Sequence, residues 1–397
     1  MLSEKSVQLG TARSVIRELF EYGKMRAAIV GAENVFDFSI GNPSVQPPAE
    51  VNAEAIRLLS ESDPVAMHGY TSAQGDPLAR KMLADSLNRR FNAGADENDF
   101  YISTGAAGAL CGCLHGLACE GDEFVVFAPY FPEYKVFIEK TGAAMRLIPP
   151  DTKAFQIDFE ALAEALNPST KAVIVNSPNN PSGAVYSEDT IRKLSELLLA
   201  RSKEYGHPIY ILSDEPYREI VYDGYSVPWI PAFYPYTVVC YSFSKSLSVP
   251  GERLGYVYVP KSANKEEPVY AAVAGASRAL GYVSAPSLFQ RVCAKCADLT
   301  ADISVYAENR RLLLEGLGKC GIECVEPGGT FYLFPKTIGE DDRAFCEMAK
   351  SLDLLIVPGT GFGCPGHVRI SYCVPTARIE RALPAFAKLA EMARRAQ

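Results

Sequence analysis

The sequence lacks the long apolar stretches that mark membrane-spanning and secreted proteins. No segment of its 397 residues approaches the roughly 20 consecutive apolar residues of a membrane span. The first thirty residues carry charges throughout and contain no apolar run of signal-peptide length. We therefore expect a cytoplasmic protein that has no membrane partner.

The two Cys/His pairs that a zinc finger requires are also missing. The chain has 11 cysteines, an odd number, and scattered cysteines in such a chain are expected to be reduced thiols. Cys293 and Cys296 form a C-x-x-C, but no second Cys/His pair lies at zinc-finger spacing. Because the surrounding residues have a helical pattern, we interpret this pair as two thiols on a helix face and predict no metal site.

An excess of positive charge is absent as well. The formal net charge is −8, which argues against nucleic acid or an acidic membrane surface as a partner. A small anionic substrate is still compatible with this charge, because a local arginine or lysine can bind it in an acidic protein.

Short apolar runs that alternate with helical patterns make up the middle of the chain. These runs are rich in β-forming residues and lie at 123–128, 171–177, 209–214, 237–243 and 254–259. Near-continuous apolar runs are typical of strands buried on both faces, as in a parallel sheet with helical crossovers. Helical patterns lie at 11–30, 49–61, 75–92, 106–118 and 187–205. The sequence therefore predicts an α/β fold with a mainly parallel central sheet flanked by helices.

The pattern changes after about residue 286. A long helical stretch at 286–318 leads into short strand patterns and a helix at 341–352. We predict a large domain at 48–288 and a smaller α+β domain formed by both chain ends, 1–47 and 289–397.

Polar residues follow the apolar runs where the predicted strands end. Asn180 lies in the turn after 171–177, Asp214 ends the next run, and Lys245 follows 237–243. Arg253 directly precedes the last run. Open α/β sheets bind ligands at the carboxyl ends of their strands, so these side chains are expected at one edge. Partial burial there would lower the pKa of Lys245 and make it a candidate amine nucleophile.

Small residues open the helical pattern at 106–118. Ser103-Thr104-Gly105-Ala106-Ala107-Gly108 would let a phosphate reach the backbone N–H groups at a helix N-terminus. By itself this feature is equally typical of close helix packing.

These motifs together resemble a known family. Asn-Pro-Ser-Gly at 180–183, Asp214-x-x-Tyr217, Ser242-x-Ser244-Lys245 with Arg253, and Val-Arg-Ile-Ser at 368–371 are similar to class I aminotransferases. These aspartate aminotransferase-like enzymes have pyridoxal phosphate fold type I, and the resemblance covers nearly the whole chain. It implies a large domain that binds pyridoxal 5'-phosphate.

The resemblance implies three catalytic residues. Lys245 would bind the cofactor aldehyde as an aldimine and later move a proton between the substrate α-carbon and the cofactor. Asp214 would face the pyridine nitrogen and keep the ring protonated. Tyr217, together with Asn180, would hydrogen-bond the phenolic oxygen.

It also implies the contacts that hold the rest of the cofactor. Phe131 would stack on the pyridine face. The residues implied at the phosphate are Ser242, Ser244, Arg253 and the N–H groups of Ala106 and Ala107. Tyr70 would reach the phosphate in the neighbouring subunit's site, which implies a homodimer.

Arg369 and Gly41 are the residues implied at the substrate, together with Asn180. Arg369 would hold the α-carboxylate, since its planar guanidinium matches a carboxylate. Strand period alone does not distinguish this role from that of a surface arginine. Gly41 would let the substrate approach a backbone N–H.

The chain departs from the family where a second substrate carboxylate would bind. Ala107 stands where some aspartate aminotransferases have a lysine. Others use an arginine of the neighbouring subunit from the segment that corresponds to 276–282; Arg278 lies near that place, but the register puts Leu280 there. Tyr282 and Tyr22 could equally line an apolar or aromatic pocket, so the donor amino acid stays open.

The resemblance favours an aminotransferase that exchanges amino groups between an L-amino acid and a 2-oxo acid in two half-reactions. A C–S lyase or eliminase of the same fold is the alternative, because it keeps the same lysine, aspartate and arginine. A regulator that retained the fold is disfavoured, since no helix-turn-helix or basic stripe is visible.

Overall fold

The structure of the protein is a computed structural model that describes residues 2–11 and 15–396. Its helices are α1 (Glu4–Thr11), α2 (Val15–Val30), α3 (Ala49–Glu61), α4 (Pro64–His68), α5 (Pro77–Phe91), α6 (Gly105–Leu117), α7 (Glu133–Lys140), α8 (Phe159–Ala165), α9 (Glu188–Tyr205), α10 (Phe243–Ser246), α11 (Val269–Ala279), α12 (Ser287–Lys295), α13 (Ser304–Lys319), α14 (Asp342–Lys350) and α15 (Thr376–Arg395). The helices predicted at 49–61, 75–92, 106–118 and 187–205 correspond to α3, α5, α6 and α9. The helix predicted at 11–30 includes 12–14, which lie outside the described residues, and α2 forms most of the remainder.

The strands form three sheets. They are β1 (Phe36–Asp37), β2 (Phe100–Ser103), β3 (Glu123–Phe127), β4 (Ala144–Ile148), β5 (Thr170–Asn176), β6 (Tyr210–Glu215), β7 (Thr237–Ser242), β8 (Gly255–Tyr258), β9 (Tyr332–Leu333), β10 (Leu354–Leu355), β11 (Val357–Pro358) and β12 (Val368–Ser371). All five predicted apolar runs are strands of one central sheet. The sequence interpretation missed β2 and the edge strand β4. The residues of β4 are mostly exposed or half-buried.

The central sheet has seven strands in the order β2-β8-β7-β6-β5-β3-β4. Only β8 runs opposite to the other six. The chain from β7 to β8 has no long crossover helix, and such a short connection suits antiparallel neighbours. The predicted α/β fold with a mainly parallel sheet is therefore confirmed, with one antiparallel strand inside it.

Both faces of the central sheet are covered. Along β5, Ala172 and Ile174 pack in one buried cluster with residues of α6 and α11, whereas Val173 and Val175 pack in another with residues of α8 and α9. Successive residues of a strand point to opposite faces, so burial of both faces requires an unbroken apolar run.

The helical stretch predicted at 286–318 is wrong as a single element. It forms α12 and α13, separated by residues 296–303. In this connection Asp302 accepts a hydrogen bond from the Ser304 N–H, and Ala301 donates one to the Ser246 carbonyl at 2.7 Å. The connection therefore contacts the last residue of α10, directly after Lys245.

Two small sheets lie beside α13, α14 and α15, and most of their strands come from the C-terminal part of the chain. One has the order β11-β12-β9, and the other pairs β1 with β10 in parallel. Residues 36–37 thus lie against residues 354–355, far away in sequence. The domain boundaries at 47/48 and 288/289 stay a prediction. Among the described helices, none is both long and apolar enough to cross a membrane.

Candidate active site

A cleft of about 300 Å³ lies at the carboxyl edge of the central sheet. Because β8 is antiparallel, its first residue lies at the same edge as the last residues of β7 and β2: Gly255 pairs with Ser242 and with Ser103. This register brings the residues that follow β2 and β7 next to the residues that precede β8. Most of the predicted site residues line the cleft: Gly41, Ala106, Ala107, Phe131, Asn180, Asp214, Tyr217, Ser242, Ser244, Lys245, Arg253 and Arg369.

Lys245 lies in α10, directly after β7, and is half-buried. Its Nζ donates a hydrogen bond to the Gly41 carbonyl oxygen at 2.7 Å. The pKa of Lys245 is lowered to about 8, mainly by burial; Cys373 raises it, and the charges of Arg253 and Arg369 contribute to the lowering. About a tenth of this amine is therefore neutral, and nucleophilic, at pH 7.

Asp214 is buried in β6 and is only partly hydrogen-bonded. Its Oδ2 accepts hydrogen bonds from the Tyr134 hydroxyl and, at 3.4 Å, from the Asn176 amide, whereas its Oδ1 is buried without a partner among the described residues. Burial raises the pKa of Asp214 to about 7; the Tyr134 hydrogen bond lowers it, and nearby Glu215 raises it. A buried carboxylate oxygen without a donor fits a ligand N–H, such as that of a protonated pyridine ring.

Arg369 lies in β12, and only 3% of its surface is exposed. Its Nη1 donates to Asn180 Oδ1 at 3.1 Å and its Nη2 donates to the Ser39 carbonyl at 2.6 Å, but its Nε is buried with no partner in the described part of the chain. The guanidinium lies 4.7 Å from the ring centre of Tyr332. It is therefore not a surface arginine, and its charge is suited to a carboxylate that enters the cleft.

A second anion site lies at the start of α6. Thr104 precedes this helix without capping it through its side chain, so the first backbone N–H groups are free of a side-chain cap. Gly105 has φ +76°, and a Cβ atom there would lie 3.2 Å from Arg253 Nη2. The Ser242 hydroxyl donates to the Ser244 hydroxyl at 2.9 Å. Hydroxyls, free N–H groups and an arginine together form a typical phosphate site.

The aromatic residues of the cleft contact one another. The Tyr217 and Tyr332 hydroxyls lie 3.1 Å apart, and burial raises the pKa of Tyr217 well above its usual value. A Cβ atom on Gly41 would lie 1.9 Å from the Tyr332 hydroxyl oxygen, so only glycine fits at that position. Phe131 packs edge-on against Tyr134, with ring centres 5.7 Å apart.

Five predicted or considered residues lie elsewhere. The Tyr70 side chain is fully exposed and does not line this chain's cleft. Tyr22 does not line it either; the ring of Tyr22 contacts Lys350 Nζ, which lies 4.6 Å from the ring centre. The carbonyl of Tyr282 accepts a hydrogen bond from the Tyr101 hydroxyl, and its side chain is not among the residues that line the cleft. Cys293 lies in α12, as the helix interpretation expects, whereas Cys296 directly follows the end of this helix; both are buried free thiols.

Other cleft residues were missed from sequence. They are Ile16, Ile40, Leu110, Asn176, Pro216, Pro250 and Tyr332, together with Tyr134 behind Asp214. Asn176 ends β5, so the strand-end argument that found Asp214 could have found it. No sequence signal marks Ile16 or Ile40, because single isoleucines are usually core residues.

Comparison with known proteins identifies the family. A profile described as aminotransferase class I and II matches residues 33–386. The chain belongs to this family. The aminotransferase is 31% identical over 365 residues to the aspartate aminotransferase of Thermotoga maritima, covering 91% of this chain and 92% of that one. It is 29% identical over 353 residues to a probable aspartate/prephenate aminotransferase of Thermus aquaticus, covering 88% and 89%.

Solved structures agree with this assignment. An amino transferase from Eubacterium rectale superposes with a TM-score of 0.96 at 55% identity, covering 99% of both chains. Aspartate aminotransferase from Thermus thermophilus with maleate gives a TM-score of 0.84 at 26% identity, covering 98% of this chain and all of that one. The chain is therefore an aminotransferase of the pyridoxal-phosphate-dependent type, as the sequence motifs predict.

Proposed function

We propose that pyridoxal 5'-phosphate binds in this cleft and that Lys245 holds its aldehyde end through the ε-amine. The observation that carries the proposal is the buried, unpartnered Oδ1 of Asp214, which fits the N–H of a protonated pyridine ring. The lowered pKa of Lys245 supports the same placement, because only a neutral amine attacks an aldehyde.

When bound, pyridoxal phosphate supplies an aldehyde that takes up amino groups and a ring that withdraws electrons from the substrate α-carbon. Asp214 keeps the ring nitrogen protonated, since the adjacent positive charge favours the carboxylate. Tyr134 holds the other carboxylate oxygen through its hydroxyl and so fixes the orientation of Asp214.

The remaining residues bind and orient. Arg369 holds the substrate α-carboxylate, and Lys245 moves a proton at the α-carbon. Asn180 and Tyr217 hydrogen-bond the phenolic oxygen of the cofactor, Phe131 stacks on its ring, and Gly41 leaves room for the substrate. The groups at the phosphate are Ser242, Ser244, Arg253 and the N–H groups of Ala106 and Ala107.

We also infer a cytoplasmic homodimer in which Tyr70 reaches the neighbouring site. Tyr70 is 100% exposed in the single chain, and nearby large apolar side chains are exposed as well: Ile56, Leu59, Val65 and Leu78. Such a surface favours association with a second copy. The 11 cysteines are free thiols, which supports a reducing compartment.

The Lys245→Ala variant tests the chemistry. We expect it to lose amino transfer by at least ~1,000-fold, because its general acid–base group is removed. Lys193→Ala, which changes an exposed lysine of α9, is the control and should keep full activity. The measurement follows 2-oxo acid, new amino acid and ammonia together. Full activity of Lys245→Ala, or ammonia in place of a new amino acid, would overturn the proposal.

Mixing two inactive chains tests the shared site. If Tyr70 acts in the neighbouring site, a Tyr70→Ala chain refolded with a Lys245→Ala chain should regain activity, because each mixed dimer then has one intact site. A statistical mixture should reach about a quarter of normal activity. Mixed dimers that stay as weak as their parents would place Tyr70 in its own chain's site, and a fully active Tyr70→Ala parent would place it in neither.

A further inference from the structure

The cleft has apolar side chains that none of the roles above uses. Ile16, Ile40, Ala107, Leu110 and Pro250 line it beside the polar groups. Ile16 is half-buried at the start of α2, where it packs on the cluster that contains Phe362. Ile40 is 39% exposed. Covering these side chains with an apolar group would remove further apolar surface from water.

The charged groups of the cleft are few, and each has a role. Among the residues that line it, the cations are Lys245, Arg253 and Arg369. They are assigned to the aldehyde, the phosphate and the α-carboxylate. Asp214 is the one carboxylate of this lining, and it is assigned to the ring nitrogen. The described wall of the cleft therefore offers no further cation for a second substrate carboxylate, and no further anion for a basic side chain.

We propose that this aminotransferase acts on amino acids with neutral, apolar side chains rather than on aspartate or glutamate. The inference rests on the proposed function, since it takes Arg369 and Arg253 as occupied by the α-carboxylate and the phosphate. A second carboxylate buried among Ile16, Ile40 and Ala107 would lose its water without gaining a partner, which is strongly unfavourable.

The same argument applies to the amino acceptor. Both half-reactions of an aminotransferase use one cleft, so the 2-oxo acid must fit the same apolar wall. The acceptor is therefore a monocarboxylic 2-oxo acid such as pyruvate, in preference to the dicarboxylic 2-oxoglutarate. This differs from the substrate after which relatives such as the Thermotoga maritima enzyme are named.

Single-turnover reactions of the holoenzyme with a panel of L-amino acids test the proposal. The panel contains alanine, leucine, methionine, phenylalanine, aspartate, glutamate and lysine, and the change in cofactor absorbance gives the rate. We expect the best neutral amino acid to react at least ~100-fold faster than aspartate or glutamate at equal concentration. Aspartate or glutamate as the fastest donor would overturn the proposal.

Two substitutions of Ala107 sharpen the test. Ala107→Lys places a cation on the wall and should raise the rate with aspartate relative to leucine by ~10-fold or more. Ala107→Met adds similar bulk without charge and should leave that ratio low. An equal ratio in both variants would mean that charge at this wall does not select the substrate.

Failure of this inference can be told apart from failure of the proposed function. If no amino acid changes the cofactor absorbance, the proposed function is wrong. If aspartate reacts fastest, only the proposed substrate class is wrong. The Arg278→Ala variant then tests whether the exposed Arg278 of a second copy supplies the cation for the second carboxylate. Loss of aspartate activity in that variant would establish that alternative.

Discussion

The two walls of the cleft differ in how they are built. The sheet wall consists of residues at one edge of the central sheet. Asp214 lies in β6, Lys245 follows β7 and Arg253 precedes β8. The opposite wall consists of Ile16, Ile40 and Arg369, which come from both ends of the chain. The sheet wall holds most of the predicted cofactor groups, whereas the opposite wall holds Arg369, the predicted α-carboxylate group, and two of the apolar side chains proposed to face the substrate.

This difference explains why one wall is easier to predict. Strand order and direction bring successive strand ends to one edge, so each residue's place follows from its own local sequence. Ile16 and Ile40 reach the cleft only because residues 36–37 pair with residues 354–355 and α2 packs beside them. A change in the sheet wall should therefore alter chemistry, and a change in the opposite wall should alter binding.

Asp214→Asn should have the largest effect of the changes considered next. The amide is nearly isosteric but carries no charge, so it cannot keep the ring nitrogen protonated. We expect kcat to fall ~100- to 1,000-fold with cofactor still bound. Asp189→Asn, at an exposed site in α9, is the control. Normal kcat in Asp214→Asn would show that the sheet wall does not control the chemistry.

The pH dependence of cofactor loading should be the next largest effect. The pKa of Lys245 is about 8, so its reactive neutral amine predominates above that pH and declines below it. Loading of cofactor-free protein should slow by roughly tenfold per pH unit below about 8 and level off above it. The rate is compared with that of a free lysine derivative at each pH.

An inflection near 10.5, the ordinary lysine value, would mean that Lys245 is not desolvated. In Arg369→Met the inflection should move upward, since the Arg369 charge lowers the pKa of Lys245. Such a shift would show that the charge of Arg369, in the opposite wall, acts on Lys245 in the sheet wall.

Arg369→Lys tests the opposite wall. A lysine keeps the charge but loses the planar pair of donors, which costs about 2 kcal/mol for a charged hydrogen bond. We expect KM for the amino acid to rise about 30-fold, with the cofactor absorbance unchanged. Arg343→Lys, an exposed residue of α14, serves as the matched substitution. A fall in kcat with normal KM would assign Arg369 to the chemistry and break the contrast between the walls.

Tyr134→Phe should have the smallest effect. It removes the hydroxyl that donates to Asp214 and that lowers the pKa of this carboxyl. Asp214 should then stay protonated to higher pH, and kcat should fall ~10-fold near neutral pH but less above it. Tyr186→Phe changes a buried tyrosine outside the cleft and should leave the pH profile unchanged. A uniform loss at every pH would indicate a packing role alone.

Much of the site could be read from residue patterns. Asp214 and Lys245 follow apolar runs that are buried on both faces, and their burial and shifted pKa values agree with that interpretation. The direction of β8 could not be read, because an apolar run does not encode the direction of its strand. The break between α12 and α13 was missed because residues 296–303 continue a helical pattern while making contacts elsewhere.

By itself, the sequence determined the α/β class, the family motifs and the cofactor side of the cleft, since these depend on local patterns and on fixed spacing along the chain. Tertiary structure decided the rest. It showed that Arg369 is buried rather than exposed, that Tyr134 fixes Asp214, and that Ile16 and Ile40 complete the wall opposite the sheet. Such contacts join residues 80 to 330 positions apart, and only packing of the whole chain brings them together.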